Sequence, residues 1–311
     1  MPSIVRAGGL LMKTWIRRSI ATAVGIAVLG AAGLALGAYL GDRKSMRRVD
    51  VAVAPVAIPA DAASVERGRY LYATRGCTDC HGTDGAGRAF IDDGGLYAKA
   101  PHISPGPGSV VASYRAEDWV RTIRHGVKPD GRPLFIMPSE DYNRLSDVDL
   151  GALIGYLKQM APAQGVPLVA RIPPLVKTLY AAGVIRDAAE KIDHALPPAA
   201  PVVEDGSATQ GAYVANGCIG CHGPRLSGGK IPGAPPAWPP AANLTPGEGS
   251  ALARYAGVDA FAAMLRTGKR PDGSAVSPVM PFGSLREMND TEVKALYAHL
   301  KRLAPVAAGN R

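Results

Sequence analysis

The hexapeptide Cys77-Thr78-Asp79-Cys80-His81-Gly82 returns as Cys218-Ile219-Gly220-Cys221-His222-Gly223, and the two copies consume all 4 cysteines of the 311-residue chain. Closely spaced cysteines serve three chemistries. A structural zinc site takes four ligands, whereas each motif offers three, and no further Cys or His recurs at a matching position in both halves. A thioredoxin-type dithiol sits beside a βαβ pattern and has no use for the adjacent histidine. The third chemistry is covalent haem attachment. Two thiols add to the two vinyl groups of one porphyrin, and the next residue, a histidine, reaches the iron from the proximal face.

A planar cofactor held at three points calls for three neighbouring side chains. The reading is therefore two covalently bound haem c groups, each with its iron. Cys77 and Cys80 carry one, Cys218 and Cys221 the other, and His81 and His222 are the proximal iron ligands. Such haems are attached outside the cytoplasm. With every cysteine used, no structural disulfide is expected.

The surroundings of the motifs match as well. ERGRYLYATRGCTDCHG (66–82) pairs with TQGAYVANGCIGCHG (209–223), sharing Gly68/Gly211 and Tyr70/Tyr213. His102-Ile103-Ser104-Pro105 pairs with Asn243-Leu244-Thr245-Pro246. The offset between copies barely changes from the Cys77/Cys218 pair to the Ser146/Asn289 pair, so the chain is a tandem duplication and not a many-repeat solenoid. Each copy predicts a helix before its motif (about Ala63 to Ala73; Ala208 to Ala215) and a middle helix (about Ala116 to Arg124; Val258 to Arg266). A closing helix opens with capping-box spacing, Ser146 with Asp149 and Asn289 with Glu292. Leu150, Leu153, Ile154 and Leu157 form one apolar face, and Val293, Leu296, Tyr297 and Leu300 form its counterpart. Gly/Pro-rich loops join these helices, and no alternating pattern predicts a strand. The expected fold is all-α, with two tandem domains at 60–160 and 205–305, an inter-domain segment at 161–204 and an anchor at 1–48.

What occupies the distal side of each iron separates a carrier from an enzyme, and methionine closes it while raising the potential. Of the 8 methionines, the repeat selects two. Met137 and Met280 each precede a proline and follow a Pro-Asp-Gly turn, and Met137 stands almost as far beyond Cys77 as Met280 does beyond Cys218. They are the candidate sixth ligands. Met160, Met264 and Met288 have no such partner and read as packing. His102, His125, His194 and His299 face Asn243, Thr267, no counterpart and Tyr156, respectively, and read as packing or surface residues. Trp119, Trp238, Arg88 and Arg225 are further candidates to touch haem edges.

The formal charge of +9 is concentrated at one end. Residues 1–48 hold Arg6, Lys13, Arg17, Arg18, Arg43, Lys44, Arg47 and Arg48 against Asp42 alone, which leaves no basic stripe with interleaved aromatics for a nucleic acid. Between these charges runs an uncharged stretch, Ile20 to Gly41, long enough to cross a hydrocarbon core of about 30 Å. A signal peptide has a shorter apolar region of about 7–15 residues, so a retained transmembrane helix is the favoured reading, with cleavage near Ala35 to Ala38 as the alternative. The basic residues fall four on each side and do not orient the helix. The haem chemistry does, placing the domains in the periplasm beside a bacterial inner membrane. Within 161–204, Val176 to Ile192 predicts an amphipathic helix packed on one of the two domains, and Pro197, Pro198 and Pro201 a stiff linker.

The two Cys-x-x-Cys-His-Gly motifs, the Met-Pro loops and the paired flanking helices resemble class I c-type cytochromes. The Asn243-Leu244-Thr245-Pro246 turn and the Met-Pro to Leu-Ser-Asp layout are similar to the cytochrome c subunits of periplasmic alcohol, aldehyde and gluconate dehydrogenases. The resemblance covers about 60–160 and 205–305. It implies an all-α fold wrapping each haem, and a di-haem electron-transfer protein that is a subunit of, or partner to, a dehydrogenase. Those subunits typically carry three haem motifs where this chain has two, and His102 stands where their turn has Asn. The expected function is a membrane-anchored relay from a periplasmic dehydrogenase or other donor to a terminal oxidase or soluble cytochrome c. The alternatives are a di-haem peroxidase-like enzyme, disfavoured because both halves carry the same Met-Pro loop, and a redox or gas sensor.

Overall fold

The computed structural model describes residues 5–93, 95–235 and 237–311. The first four residues of the expected anchor lie outside the described residues, as do the side chains of residues 5–13, Arg6 and Lys13 among them. The chain divides into two compact units, Met1–Ser45 with Pro173–Ile185, and Met46–Ile172 with Arg186–Arg311.

In the first unit, helix α1 (Val5–Ser45) is the one described helix long and apolar enough to cross a membrane, over Thr14–Ser45. Nothing charged interrupts it between Ile20 and Gly41, so no side chain competes with its apolar surface. Helix α6 (Pro174–Ala181) packs on its C-terminal part.

The second unit holds both copies of the repeat. In the first, α2 (Ala62–Thr74) leads into the motif helix α3 (Cys77–His81), followed by α4 (Ala116–His125) and α5 (Asp147–Gln159). In the second, α8 (Ala208–Ala215), α9 (Ile219–His222), α10 (Val258–Thr267) and α12 (Asp290–Arg302) take the same order, with a short α11 (Phe282–Leu285) before the last. In each copy the leading helix crosses the closing helix at a glycine. A Cβ on Gly68 would overlap the Ala152 carbonyl and lie 2.7 Å from Tyr156 Cβ; on Gly211 it would overlap the Ala295 carbonyl and lie 2.6 Å from His299 Cβ. The apolar faces read from the sequence meet here. Leu150, Leu153, Ile154 and Leu157 are buried with Leu71, Tyr72 and Trp119, and Val293, Leu296 and Leu300 with Val214, Phe261 and Leu265. Met160 closes the first core, and Met264 and Met288 lie in the second.

The all-α expectation needs correction. The hairpin of β1 (Ala89–Asp93) and β2 (Leu96–Lys99), inserted in the first copy, is joined by β3 (Val169–Arg171) of the following segment in a three-stranded antiparallel sheet that pairs Asp93 with Leu96 and Tyr97 with Arg171. Its strands are too short to show alternation, although the Gly94-Gly95 pair is a hairpin signal. The third strand arrives only after α4 and α5 have intervened, with the Arg171 guanidinium 4.6 Å from the Tyr97 ring centre.

The single helix expected over Val176 to Ile192 is also corrected. The chain forms α6, breaks, and resumes as a short α7 (Ala188–Lys191) started by an Asp187 cap. Gly183 takes φ +75° at the break, a conformation that ends a helix at little cost only for glycine. Segment 161–204, expected to pack on one domain, is divided between the two units, and Ala189 of α7 packs with Val51 and Val127.

Candidate haem sites

Each motif is a single helical turn closed by a glycine in a left-handed conformation, Gly82 at φ +78° and Gly223 at φ +79°. A side chain is strained there, which accounts for a glycine after both histidines. The imidazoles are fixed from behind. His81 Nδ1 lies 3.0 Å from the Pro101 carbonyl oxygen and His222 Nδ1 2.8 Å from that of Ala242. The acceptor carbonyl forces the proton onto Nδ1 and leaves Nε2 as the unprotonated donor atom. Burial holds both rings below the usual histidine pKa, and therefore neutral.

The two acceptor carbonyls are offered by the matched turns. Asn243 Oδ1 accepts from the Thr245 backbone N–H at 2.9 Å and from its hydroxyl at 2.8 Å, and Asn243 Nδ2 donates to the Val306 carbonyl. In the first copy His102 is fully buried, its Nε2 2.9 Å from Ser104 Oγ. Its place is thus in the packing of the turn that holds His81.

No disulfide joins any of the four cysteines. Burial pushes Cys77 and Cys218 up to about 12 and Cys80 up to about 11, and raises Cys221. A reactive dithiol depends on the opposite shift, toward the thiolate. Among the described residues no group of three or more His, Cys, Asp or Glu is placed to hold a metal ion, so neither motif gathers the four ligands of a structural zinc site. Two thiols, one unprotonated imidazole nitrogen and an apolar surround fit a thioether-bound haem.

Met137 is half-buried against the core that Cys77 also borders, and Met280 against the one bordered by Cys218. Their loops share one geometry. Pro138 (φ −81°, ψ 64°) and Pro281 (φ −78°, ψ 67°) each centre a three-residue turn. In these turns the N–H groups of Ser139 and Phe282 donate to the Met137 and Met280 carbonyls at 2.9 and 2.8 Å. These are the angles of an inverse γ-turn, close to the φ that proline imposes. The other candidates separate. Trp119 is a core residue in edge contact with Tyr114, while Trp238, Arg88 and Arg225 are exposed.

The two copies meet reciprocally through their sites, which motif reading missed. Asp79, inside the first motif, accepts from Ser284 Oγ at 2.7 Å, just after the Met280-Pro281 turn. Asp141, just after the Met137-Pro138 turn, accepts from the Gly220 N–H of the second motif at 2.8 Å. Tyr70 and Tyr213 reach across to the opposite closing helix, accepting from Asn289 N–H at 3.0 Å and from Ser146 N–H at 3.1 Å. The signal for these two tyrosines was present in the repeat, where they are among the few residues both copies share.

With this geometry in hand, comparison with known proteins is specific. Residues 63–157 match the family model described as cytochrome c oxidase, cbb3-type, subunit III, and residues 207–304 match the cytochrome c model. The fructose dehydrogenase cytochrome subunit of Gluconobacter japonicus is 27% identical, covering 79% of this chain and 54% of that protein. The cytochrome c subunit of the quinone alcohol dehydrogenase of Gluconobacter oxydans (strain 621H) is 28% identical, covering 55% and 37%. The gluconate 2-dehydrogenase cytochrome c subunit of Pantoea cypripedii is 28% identical, covering 78% and 60%. The chain thus spans between about a third and three fifths of the length of these relatives. It carries two cytochrome c domains and is homologous to the cytochrome c subunits of fructose, alcohol and gluconate dehydrogenases.

Proposed function

We propose that the chain is a membrane-anchored di-haem relay that carries electrons from a periplasmic dehydrogenase to a respiratory acceptor. In this reading Cys77 and Cys80 hold one haem c, with His81 and Met137 as its axial ligands. Cys218 and Cys221 hold the other, with His222 and Met280. When bound, each haem supplies one-electron exchange between ferric and ferrous iron. The protein's part is to fix the imidazoles through the Pro101 and Ala242 carbonyls and to keep the two sites adjacent.

One observation carries the relay: each haem motif is hydrogen-bonded to the segment that follows the other copy's candidate methionine, through Asp79–Ser284 and Asp141–Gly220. Two centres built this way share one rigid wall. The printed names of the dehydrogenase relatives support the donor side, and the cbb3-type oxidase match of residues 63–157 supports a respiratory acceptor. Helix α1 supports a membrane anchor, and haem attachment outside the cytoplasm supports an inner-membrane location with the domains in the periplasm.

The test is spectroscopic. The purified chain should carry the mass of two haems, and its ferric spectrum should show two low-spin centres. Met137→Leu and Met280→Leu should each convert one of them to high spin. A native high-spin centre that turns over peroxide would replace this reading with the peroxidase alternative.

A further inference from the structure

Helix α6 has no evident part in holding haem, yet its packing on α1 is intimate. A Cβ on Gly37 would lie 2.6 Å from Thr178 Oγ1, and one on Gly41 would overlap the Lys177 carbonyl and lie 3.0 Å from Lys177 Cβ. The Thr178 hydroxyl, which donates to the Pro174 carbonyl of its own helix at 2.9 Å, lies 3.3 Å from the Leu34 carbonyl oxygen. Lys177 Nζ pairs with Asp42 at 2.8 Å, and Lys44 Nζ donates to the Tyr180 carbonyl at 2.9 Å and lies 4.4 Å from that ring's centre.

These contacts fix the depth of α6 along α1. Asp42 and Lys44 lie just beyond the uncharged stretch that ends at Gly41, whereas Leu34 lies seven residues inside it. At 1.5 Å per residue, the Leu34–Thr178 contact is roughly 10 Å below the end of the apolar span. Helix α6 therefore runs beside the last turns of the span. Its composition suits that level. Residues 173–185 carry one charge, Lys177, which is already paired with Asp42. Leu175 of α6 and Val184, just past its end, are 59% and 60% exposed, as Leu36, Tyr39 and Leu40 near the end of the α1 span are also exposed.

We propose that residues 173–185 are a second membrane contact. They seat Leu175 and Val184 in the headgroup–acyl boundary of the phospholipid leaflet that receives the C-terminal end of α1. The inference rests on α1 being the membrane anchor. An apolar helix face buries itself about 5–10 Å into that boundary, the depth at which α1 holds α6. A helix fastened beside the span would restrict the tilt and rotation of α1 in the bilayer.

The test uses the full chain, haem-loaded, in bilayer discs of phosphatidylcholine and phosphatidylglycerol. A nitroxide is placed on single cysteines introduced as Leu175→Cys, Val184→Cys, Leu29→Cys and Val148→Cys, all at exposed side chains. Collisions with oxygen, which partitions into lipid, are compared with collisions with a water-soluble nickel chelate. Positions 29, 175 and 184 should favour oxygen several-fold over position 148. If position 29 favours oxygen but 175 and 184 behave like 148, the second contact is overturned and the anchor stands. If position 29 also favours the nickel chelate, the anchor reading fails and the proposal fails with it. An unchanged Soret spectrum for each variant shows that labelling has left the haem domains folded.

Discussion

Arg75 and Glu292, 217 positions apart in the sequence, form a two-pronged ion pair between the repeat copies, with N–O distances of 2.6 and 2.9 Å. The side chains retain 8% and 1% of their exposure. Burial pushes the Glu292 carboxyl up, but Arg75 and then Arg67 draw it back below the usual range, so the pair is charged. Removing one partner from such a pair strands the other and typically costs about 3–5 kcal/mol, whereas apolar replacement of both is often neutral or stabilising. Arg75→Met and Glu292→Gln should each lower the denaturant midpoint markedly. Arg75→Met combined with Glu292→Leu should recover most of the loss, giving a large coupling in a double-mutant cycle. Additive losses would show that the pair does not act as a unit.

Tyr70 and Tyr213 complete the caps of helices they do not belong to. Tyr213 Oη accepts from Ser146 N–H and donates to Asp149 Oδ2 at 2.6 Å. Tyr213→Phe leaves that N–H without its partner, at a cost of about 1–3 kcal/mol, and Tyr70→Phe does the same to Asn289. Both variants should keep their haem spectra while amide hydrogen exchange at Ser146 or Asn289 accelerates. Unchanged exchange would remove the tyrosines from the caps.

The glycine crossings predict a steric failure. Gly68→Ala and Gly211→Ala each press a methyl onto a closing-helix carbonyl. Overpacking costs typically about 1–3 kcal/mol, sometimes more, so both should be destabilised well beyond Gly30→Ala, where nothing lies within 4 Å. Thermal unfolding followed at the Soret band checks the contrast, and equal midpoints for all three would refute it.

His125 and His194 share a hydrogen bond, Nδ1 to Nδ1 at 3.1 Å, which requires one ring to donate and the other to accept. Burial, then His194, lower His125 to about 4. Its ordinary value is about 6.5, so the unfolded chain binds the proton more readily. Stability is therefore intact above about pH 6.5 and falls as pH drops from there toward about 4. Thermal midpoints across that window should decline in the native protein and flatten in His125→Gln. A native protein with no decline would mean that His125 is not held neutral.

Chain order alone dictates the local chemistry. Two thiols and an imidazole on one turn are adjacent by covalent connection, the following glycine is required by a backbone angle, and the helix starts at Ser146 and Asn289 are set by hydrogen bonds to the third residue on. The capping boxes show where such reading stops. The N-cap side chains accept from Asp149 and Glu292 N–H as the spacing implies. The return bonds are made instead by Tyr213 and Tyr70, because both N3 carboxylates are drawn away by arginines, Asp149 by Arg67 and Glu292 by Arg75. An arginine pairing with a buried carboxylate is decided by which surfaces the fold presses together, and neither propensity nor spacing encodes that. The same holds for β3, which joins its sheet from beyond α5, and for α6, which pairs with α1 across the whole of the first copy. Contacts between near neighbours follow from the order of the chain, whereas those that bring the two sites together exist only once both copies have folded and docked.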